Sequence, residues 1–350
     1  MAPQFVYHDK NFFMNSLGTI FRIHIFGESH GPYVGITIDG CPAGISLDAV
    51  DFVNDIERRK GGIQKGTTPR KEDDIPVFIS GLFEGKTSGA PLTILFENNN
   101  TRSADYEKQR DVPRPGHADF VAGVKFGGNE DFRGGGHFSG RLTVCLVAAG
   151  VVAKKMISLT EKGISCKALI KEIGGEKDIE KGLQNAINAK DSVGGIVECI
   201  VDNLPAGLGE PFFNSVESLI SHAVFSIPAI KGIEFGAGFA AAKMKGSEHN
   251  DALENAEGKT ITNHAGGIVG GLTNNNPLIF RVVVKPTSST PKEQQTYNNA
   301  TGNVEKFSVK GRHDLCIALR VPVILEAVTA CVLADLLMLE QKIKRVISDN

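Results

Sequence analysis

The run Val321–Leu339 constrains this chain more than any other segment. It is apolar apart from Glu326, Thr329 and Asp335. Such a run is either a membrane span or a helix buried on every side, and two internal carboxylates favour burial. Pro322 stands where a helix's first turn accepts proline, and the pattern predicts a helix from about Pro322 to Ile347. A chain of 350 residues can bury roughly three quarters of its surface, so a core of this kind needs no metal or disulfide staple. Hydrophobic residues at 41% and charged residues at 22% exclude disorder, collagen and coiled coil. The net charge of −2 excludes a general polyanion binder, while leaving room for a local basic cluster. No nucleic-acid or membrane partner is expected.

Cys41, Cys145, Cys166, Cys199, Cys316 and Cys331 include no C-x-x-C pair, and four lie in apolar runs. They read as reduced thiols of a cytoplasmic protein. The N-terminus lacks a secretory h-region. Residues 1–13 read as an extension and 14–350 as one catalytic domain.

Strands are expected over Gly18–Phe26 and Val34–Ile38, and near 75–80, 92–96, 165–171 and 194–202. Helices are expected from an N-cap at Ser46 to Arg59, over Ala118–Phe126, and near 140–158, 178–190 and 214–225. Leu47, Val50, Val53 and Ile56 share one face of the first helix. Strands and helices come in clusters instead of strict alternation, which favours an α+β fold.

Glycine makes up 40 of the 350 residues, and much of it borders chemistry-bearing side chains. Gly27-Glu28-Ser29-His30-Gly31 formally matches a serine-hydrolase elbow. Too few strands precede it, and a strand, not a helix, follows; a tight turn with a surface His is the alternative. Arg58, Arg59, Lys60, Lys65, Arg70 and Lys71 form a basic cluster suited to a dianion, or else a solvated face. Arg114-Pro115-Gly116-His117-Ala118-Asp119 fixes a His that suits acid–base work or caps a turn. The segment 133–141 feeds glycines into a helix start, a general anion cradle. Lys285–Thr290 offers one Lys and several hydroxyls, and 310–314 carries Arg312, His313 and Asp314 before the last helix. No metal-ligand spacing is present. His8, His24, His222, His249 and His264 read as structural. Together the loops describe an enzyme using His acid–base chemistry on a phosphorylated, acidic small molecule.

Eight segments in this order resemble the chorismate synthase family: GESHG (27–31), IERRKGG (56–62), RPGHAD (114–119), RGGGHFSGR (133–141), SIPAIKG (226–232), NHAGGIVGG (263–271), KPTSS (285–289) and GRHD (311–314). The resemblance covers about residues 14–340. It implies a β-α-β sandwich of antiparallel sheets around helices, assembled as a homotetramer. It implies anti 1,4-elimination of phosphate from 5-enolpyruvylshikimate 3-phosphate, giving chorismate in aromatic biosynthesis. The family requires reduced FMN without net redox change, and NAD(P)H enters only as an external reductant.

By the same resemblance, His30 protonates the departing phosphate, His117 stabilises the reduced flavin, and Asp314 helps remove the substrate proton. Ser29 and Ser139 support them. Arg58, Arg59, Lys65, Arg114 and Arg141 bind the substrate anions. The flavin lies against His137, Phe138, Ser139, Pro228, Ala229, Gly270, Lys285, Pro286, Thr287, Ser288, Ser289 and Arg312. Two readings stay beside this one: a flavin-independent phosphatase or lyase, and a non-enzymatic flavin-binding protein.

Overall fold

Alternating burial builds the first sheet. The computed structural model describes residues 15–62, 65–68, 70, 72–100, 110–160, 163–309 and 313–347. β1 (Ser16–Leu17), β2 (Arg22–Gly27) and β3 (Tyr33–Asp39) precede α1 (Val50–Arg59). β4 (Val77–Ser80), a small hairpin of β5 (Leu82–Phe83) and β6 (Lys86–Thr87), and β7 (Leu92–Glu97) follow. Val34, Ile36, Ile38, Leu92, Ile94 and Phe96 are fully buried, so the two central strands turn a continuous apolar face inward. The resulting five-stranded sheet has the order β1-β2-β3-β7-β4 and is antiparallel throughout.

The helices that cover this sheet come next. α2 (Asp119–Phe126) is peripheral, whereas α3 (Thr143–Ser158) is buried along most of its length. β8 (Ser165–Ile173), α4 (Ile179–Ala189), β9 (Gly195–Asp202), α5 (Val216–Phe225), β10 (Ile230–Phe235), α6 (Gly246–His249), the hairpin β11 (Ile268–Val269) and β12 (Leu272–Thr273), and β13 (Leu278–Val284) lead to a second antiparallel sheet. Its order is β10-β13-β9-β8. A last hairpin, β14 (Gln294–Asn298) with β15 (Asn303–Phe307), precedes α7 (Val321–Leu339).

α3 packs on α7. α3 also meets β2, β3 and β7, while α7 meets β8 and β9. The two helices therefore form a layer between the sheets, joined by α1 and α5, and one hydrophobic core runs through all three layers. Gly150 permits the closest approach, because a Cβ there would fall 2.3 Å from that of Ala327. This is the expected β-α-β sandwich.

α7 is the only helix among the described residues long and apolar enough to cross a membrane, and it lies inside the sandwich. Its two acids have structural partners. Asp335 accepts from the amides of Thr19, Ile20 and Phe21 at 2.7–2.9 Å. Glu326 accepts from Arg58, Lys154 and the Ala168 amide.

Three local expectations need correction. The first helix begins at Val50 without a Ser46 cap; the Ser46 carbonyl instead accepts from Lys155 Nζ at 2.7 Å. Its buried face carries Phe52, Asp55, Ile56 and Arg59, while Val50 and Val53 are exposed. The last helix ends at Leu339, short of Ile347, where Gln341 turns to a left-handed φ of 55°. Residues 1–13 lie outside the described residues.

Candidate active site

A cavity of about 700 Å³ opens where the C-terminus of α1, the approach to α3, and the loops at 114–118, 226–229 and 285–289 converge. Its size lies within the range of small-molecule and cofactor sites. Most of the motif residues meet here despite their separation in sequence.

Three consecutive glycines shape one wall. Gly134, Gly135 and Gly136 have φ of 60°, 84° and 51°, a left-handed run that side chains rarely tolerate. A Cβ on Gly134 would lie 2.3 Å from the His30 ring, and one on Gly135 would lie 3.0 Å from the His117 ring. The loop thus packs between the two histidines. His30 and Ser29 are buried behind Gly134 and do not themselves line the cavity.

The turn bearing them is held from two sides. Arg70 donates to Ser29 Oγ (3.3 Å) and Ser29 O (3.4 Å), and its guanidinium is paired with the buried Glu72 at 2.6 Å. Burial, followed by the nearby Arg70 charge, lowers the His30 pKa from its ordinary value. An approaching phosphate dianion would act in the opposite sense.

His117 is oriented by Asp119, whose Oδ1 lies 2.5 Å from Nδ1. Burial opposes ionisation of Asp119, but hydrogen bonds from Arg114 and His117 outweigh it and hold the carboxyl well below its ordinary range. Nδ1 also lies 3.1 Å from Arg114 Nη2, but the carboxylate is the closer partner and only accepts, which favours the proton on Nδ1 and leaves Nε2 on the Gly135 side. Arg114 grips the same carboxylate through Nε (2.7 Å) and Nη2 (2.8 Å) and reaches Ser289 Oγ at 3.3 Å. Lys285 Nζ donates to Gly116 O at 3.1 Å, tying the two loops together.

The opposite wall is an arginine pair around one carboxylate. Arg59 Nη1 meets Asp74 Oδ2 at 3.1 Å, and Arg141 Nη1 pairs with Asp74 Oδ1. Arg59 also donates to Thr143 Oγ1 and to the carbonyls of Gly140 and Arg141. Burial, then the Arg320 charge, pushes Arg59 down to about 9, so it stays charged at neutral pH. Asp74 holds a left-handed φ of 51°, backbone strain of a kind that gathers at functional sites. Asp314 lines the cavity, accepting from the Thr68 amide (2.9 Å) and pairing with Arg320 (3.0 Å).

Ser139, His137, Phe138, Pro228, Ala229, Thr287 and Ser288 also lie on the wall. Ser139 caps the short turn ahead of α3 by accepting from the Arg141 amide. Ala229 carries a φ of 76°, again left-handed for a residue with a Cβ. Thr287 Oγ1 is buried with no hydrogen-bond partner among the described residues.

Besides Ser29 and His30, four expected contacts lie off this cavity. Arg58 turns away to Glu326 and Asp55. Lys65 reaches Gln184 at 2.9 Å. Gly270 sits in the turn between β11 and β12, and Pro286 faces elsewhere. Arg312 lies outside the described residues. Conversely, His222, read as structural, lines the cavity. Glu72, Asp74, Asn98 and Arg320 were not singled out because they act on partners far along the chain. The one available signal was the carboxylates of 72–74 following the basic run.

Seven guanidinium and ammonium groups face three carboxylates on this wall, Arg59, Arg141 and Lys285 among the cations. A positive cavity bearing an oriented imidazole and a carboxylate defines an enzyme for a polyanionic small molecule. The sequence profile of chorismate synthase matches residues 21–338. The chorismate synthase of Chitinophaga pinensis is 70% identical over 333 residues, covering 95% of this chain and 99% of the relative. That of Methanocaldococcus jannaschii is 40% identical, covering 93% and 96%. A crystal structure of chorismate synthase superposes with a TM-score of 0.70 at 25% identity, covering 92% of this chain and 93% of the other. The chain belongs to the chorismate synthase family, carbon–oxygen lyases of the shikimate pathway.

Proposed function

We propose that this cavity carries out the family's anti 1,4-elimination, with 5-enolpyruvylshikimate 3-phosphate held by its arginines and reduced FMN held beside His117. The observation that carries this reading is the excess of cations on a wall that also presents His117 and Asp314. The substrate bears two carboxylates and a phosphate, and buried guanidiniums match both geometrically.

The wall residues fit a flavin. Thr287 Oγ1 is buried without a partner, Ala229 holds a strained backbone, and Lys285 supplies a cation for a phosphate. His137–Ser139, Pro228, Ala229, Lys285 and Thr287–Ser289 would hold it. When bound, reduced FMN supplies transient electron density that lets an allylic phosphate leave without net redox change.

This chain's residues do the rest. Arg59, Arg114 and Arg141 bind and orient the anions and keep the field positive as negative charge gathers on the leaving phosphate. His30 carries the family's role of giving that phosphate its proton, although Gly134 stands between its ring and the cavity here. Asp314 takes the substrate's ring proton, and Arg320 and the Thr68 amide hold its carboxylate in place. Ser29 and Ser139 fix the two loops. His117, with its proton fixed on Nδ1, keeps Nε2 for the flavin.

Six free thiols, with burial pushing Cys41, Cys145 and Cys331 up to about 12, support a reducing, cytoplasmic setting. Phe212, Phe213 and Phe239, at 85%, 92% and 84% exposed, support assembly into a homotetramer; light scattering giving a monomer mass would remove that part.

The test is an anaerobic assay with pure protein, 5-enolpyruvylshikimate 3-phosphate, and FMN either oxidised or chemically reduced. Chorismate and phosphate should appear together and only with reduced FMN. Phosphate without chorismate, or without flavin, would establish the phosphatase-like chemistry instead. His30 adds a second check. Its lowered free pKa should rise on the phosphate, so binding takes up a proton between the free and bound values. Calorimetry in buffers of different ionisation enthalpy should therefore show proton uptake between those two values, fading at more acid pH where free His30 is already protonated.

A further inference from the structure

We infer that Asn98 is a positioning residue for His30 and couples it to the anion-binding Arg141; the inference rests on the roles proposed above for those two residues.

Asn98 follows β7, which lies beside β3 in the first sheet. Its backbone amide donates to Pro32 O at 3.0 Å. Its side-chain Nδ2 donates to Glu28 O (3.1 Å) and Gly31 O (2.7 Å), while Oδ1 accepts from Arg141 Nε at 2.8 Å. The amide's orientation is dictated by chemistry. Carbonyls cannot donate and a guanidinium cannot accept, so the oxygen must face Arg141 and the nitrogen must face the turn.

One side chain thus grips the peptide on each side of Ser29 and His30. It is itself gripped by an arginine of the cavity wall. Arg70 holds the same turn from the other side but bonds to Glu72, off the arginine pair. The β2–β3 ladder from Arg22↔Asp39 to Gly27↔Val34 holds the strands independently. Losing the Asn98 bonds should therefore let the turn rotate without unfolding the sheet. An anion that shifts Arg141 would move the His30 turn through this amide.

Asn98→Asp is the sharpest variant. It is isosteric and keeps the contact to Arg141, but it replaces two donated hydrogen bonds by a carboxylate facing two carbonyl oxygens. Steady-state rates would be measured anaerobically with reduced FMN for wild type, Asn98→Asp, His30→Ala and the double variant. A small misplacement of a reacting group can cost about 10²-fold, so Asn98→Asp should lower kcat by about that factor, with KM changing by less than about threefold. In the His30→Ala background the same substitution should change kcat by less than about twofold, because the group it positions is gone. Equal factors in both backgrounds, or an unchanged kcat, would overturn the inference. If Asn98→Asp does not fold by circular dichroism, Asn98→Ala decides by the same criterion. Failure of the wild type to form chorismate would instead sink the reading of the site, so the two failures are distinct.

Discussion

Arg58 and Arg59 are neighbours in sequence and end in two ion clusters of opposite character. Arg58 joins Lys154, Glu326 and Asp55 within the helix layer. Two cations meet two carboxylates there, and the cluster is neutral. Arg59 joins Arg141 around the single carboxylate of Asp74 on the cavity wall, and that cluster keeps a positive surplus. The neutral cluster has no need of a ligand, whereas the surplus on the wall remains available to an anion. Near identical chemistry thus serves structure in one place and, on the reading proposed above, anion binding in the other. The balance of charge tells them apart, and the residue types do not.

Breaking the neutral cluster should give the largest effect. Glu326→Ala strands Arg58 and Lys154 beside one carboxylate and should cost about 3–5 kcal/mol of stability, read by urea unfolding, with turnover per folded molecule retained. A loss confined to turnover would reverse the assignment of the two clusters.

On the cavity side, Arg141→Lys keeps the charge but loses the fork. Removing charge-assisted bonds worth about 1.5–3 kcal/mol should lower kcat/KM by roughly 10–100-fold, exceeding its effect on unfolding. Equal kinetics would mean that the surplus charge, without the fork geometry, is what the substrate needs.

Acid should separate the clusters further. For Glu326, burial raises the pKa, but Arg58 and Lys154 outweigh it and bring it below its ordinary 4.5. Its stabilisation is therefore complete above that ordinary value and is lost as pH falls through the lower folded value. Glu326→Gln should flatten the acid limb of stability against pH; an unchanged slope would place that dependence on other carboxylates.

The smallest effect belongs to the outer face of α1. Val53 is 54% exposed, so Val53→Gln should change stability by no more than about 0.5 kcal/mol. A larger loss in thermal unfolding would mean that this face is covered in the assembled protein.

That last variant also marks the limit of what the sequence discloses. The apolar run of α7 and the short apolar stretches at β3 and β7 were legible as elements of an α+β fold, because burial leaves a trace, whereas the sandwich that joins them came from the family resemblance. α1 misled, because its inward face carries Asp55 and Arg59 while Val50 and Val53 point out. Apolar periodicity presumes an apolar neighbour, and here the neighbour is a charge cluster. The glycine-flanked histidines were legible as a site because their loops have unusual local composition. Asp74, Glu72 and Asn98 were not, since each owes its place to a partner brought near only by the sheet. Arg58 and Arg59 looked interchangeable, because one residue of helical rotation separates their destinations.

The left-handed glycines at 134–136 have one further consequence, for how this loop can change. Gly134 abuts the His30 ring and Gly135 the His117 ring, so the loop acts as a spacer set by backbone thickness alone. Its width cannot be tuned, since even a methyl group would push on one imidazole ring or the other. In a saturation library, 134 and 135 should accept only glycine. Gly140, a few positions on with nothing within 4 Å of its missing Cβ, should accept alanine. The freedom to substitute in this loop stops where the peptide chain itself is the gauge between two imidazoles.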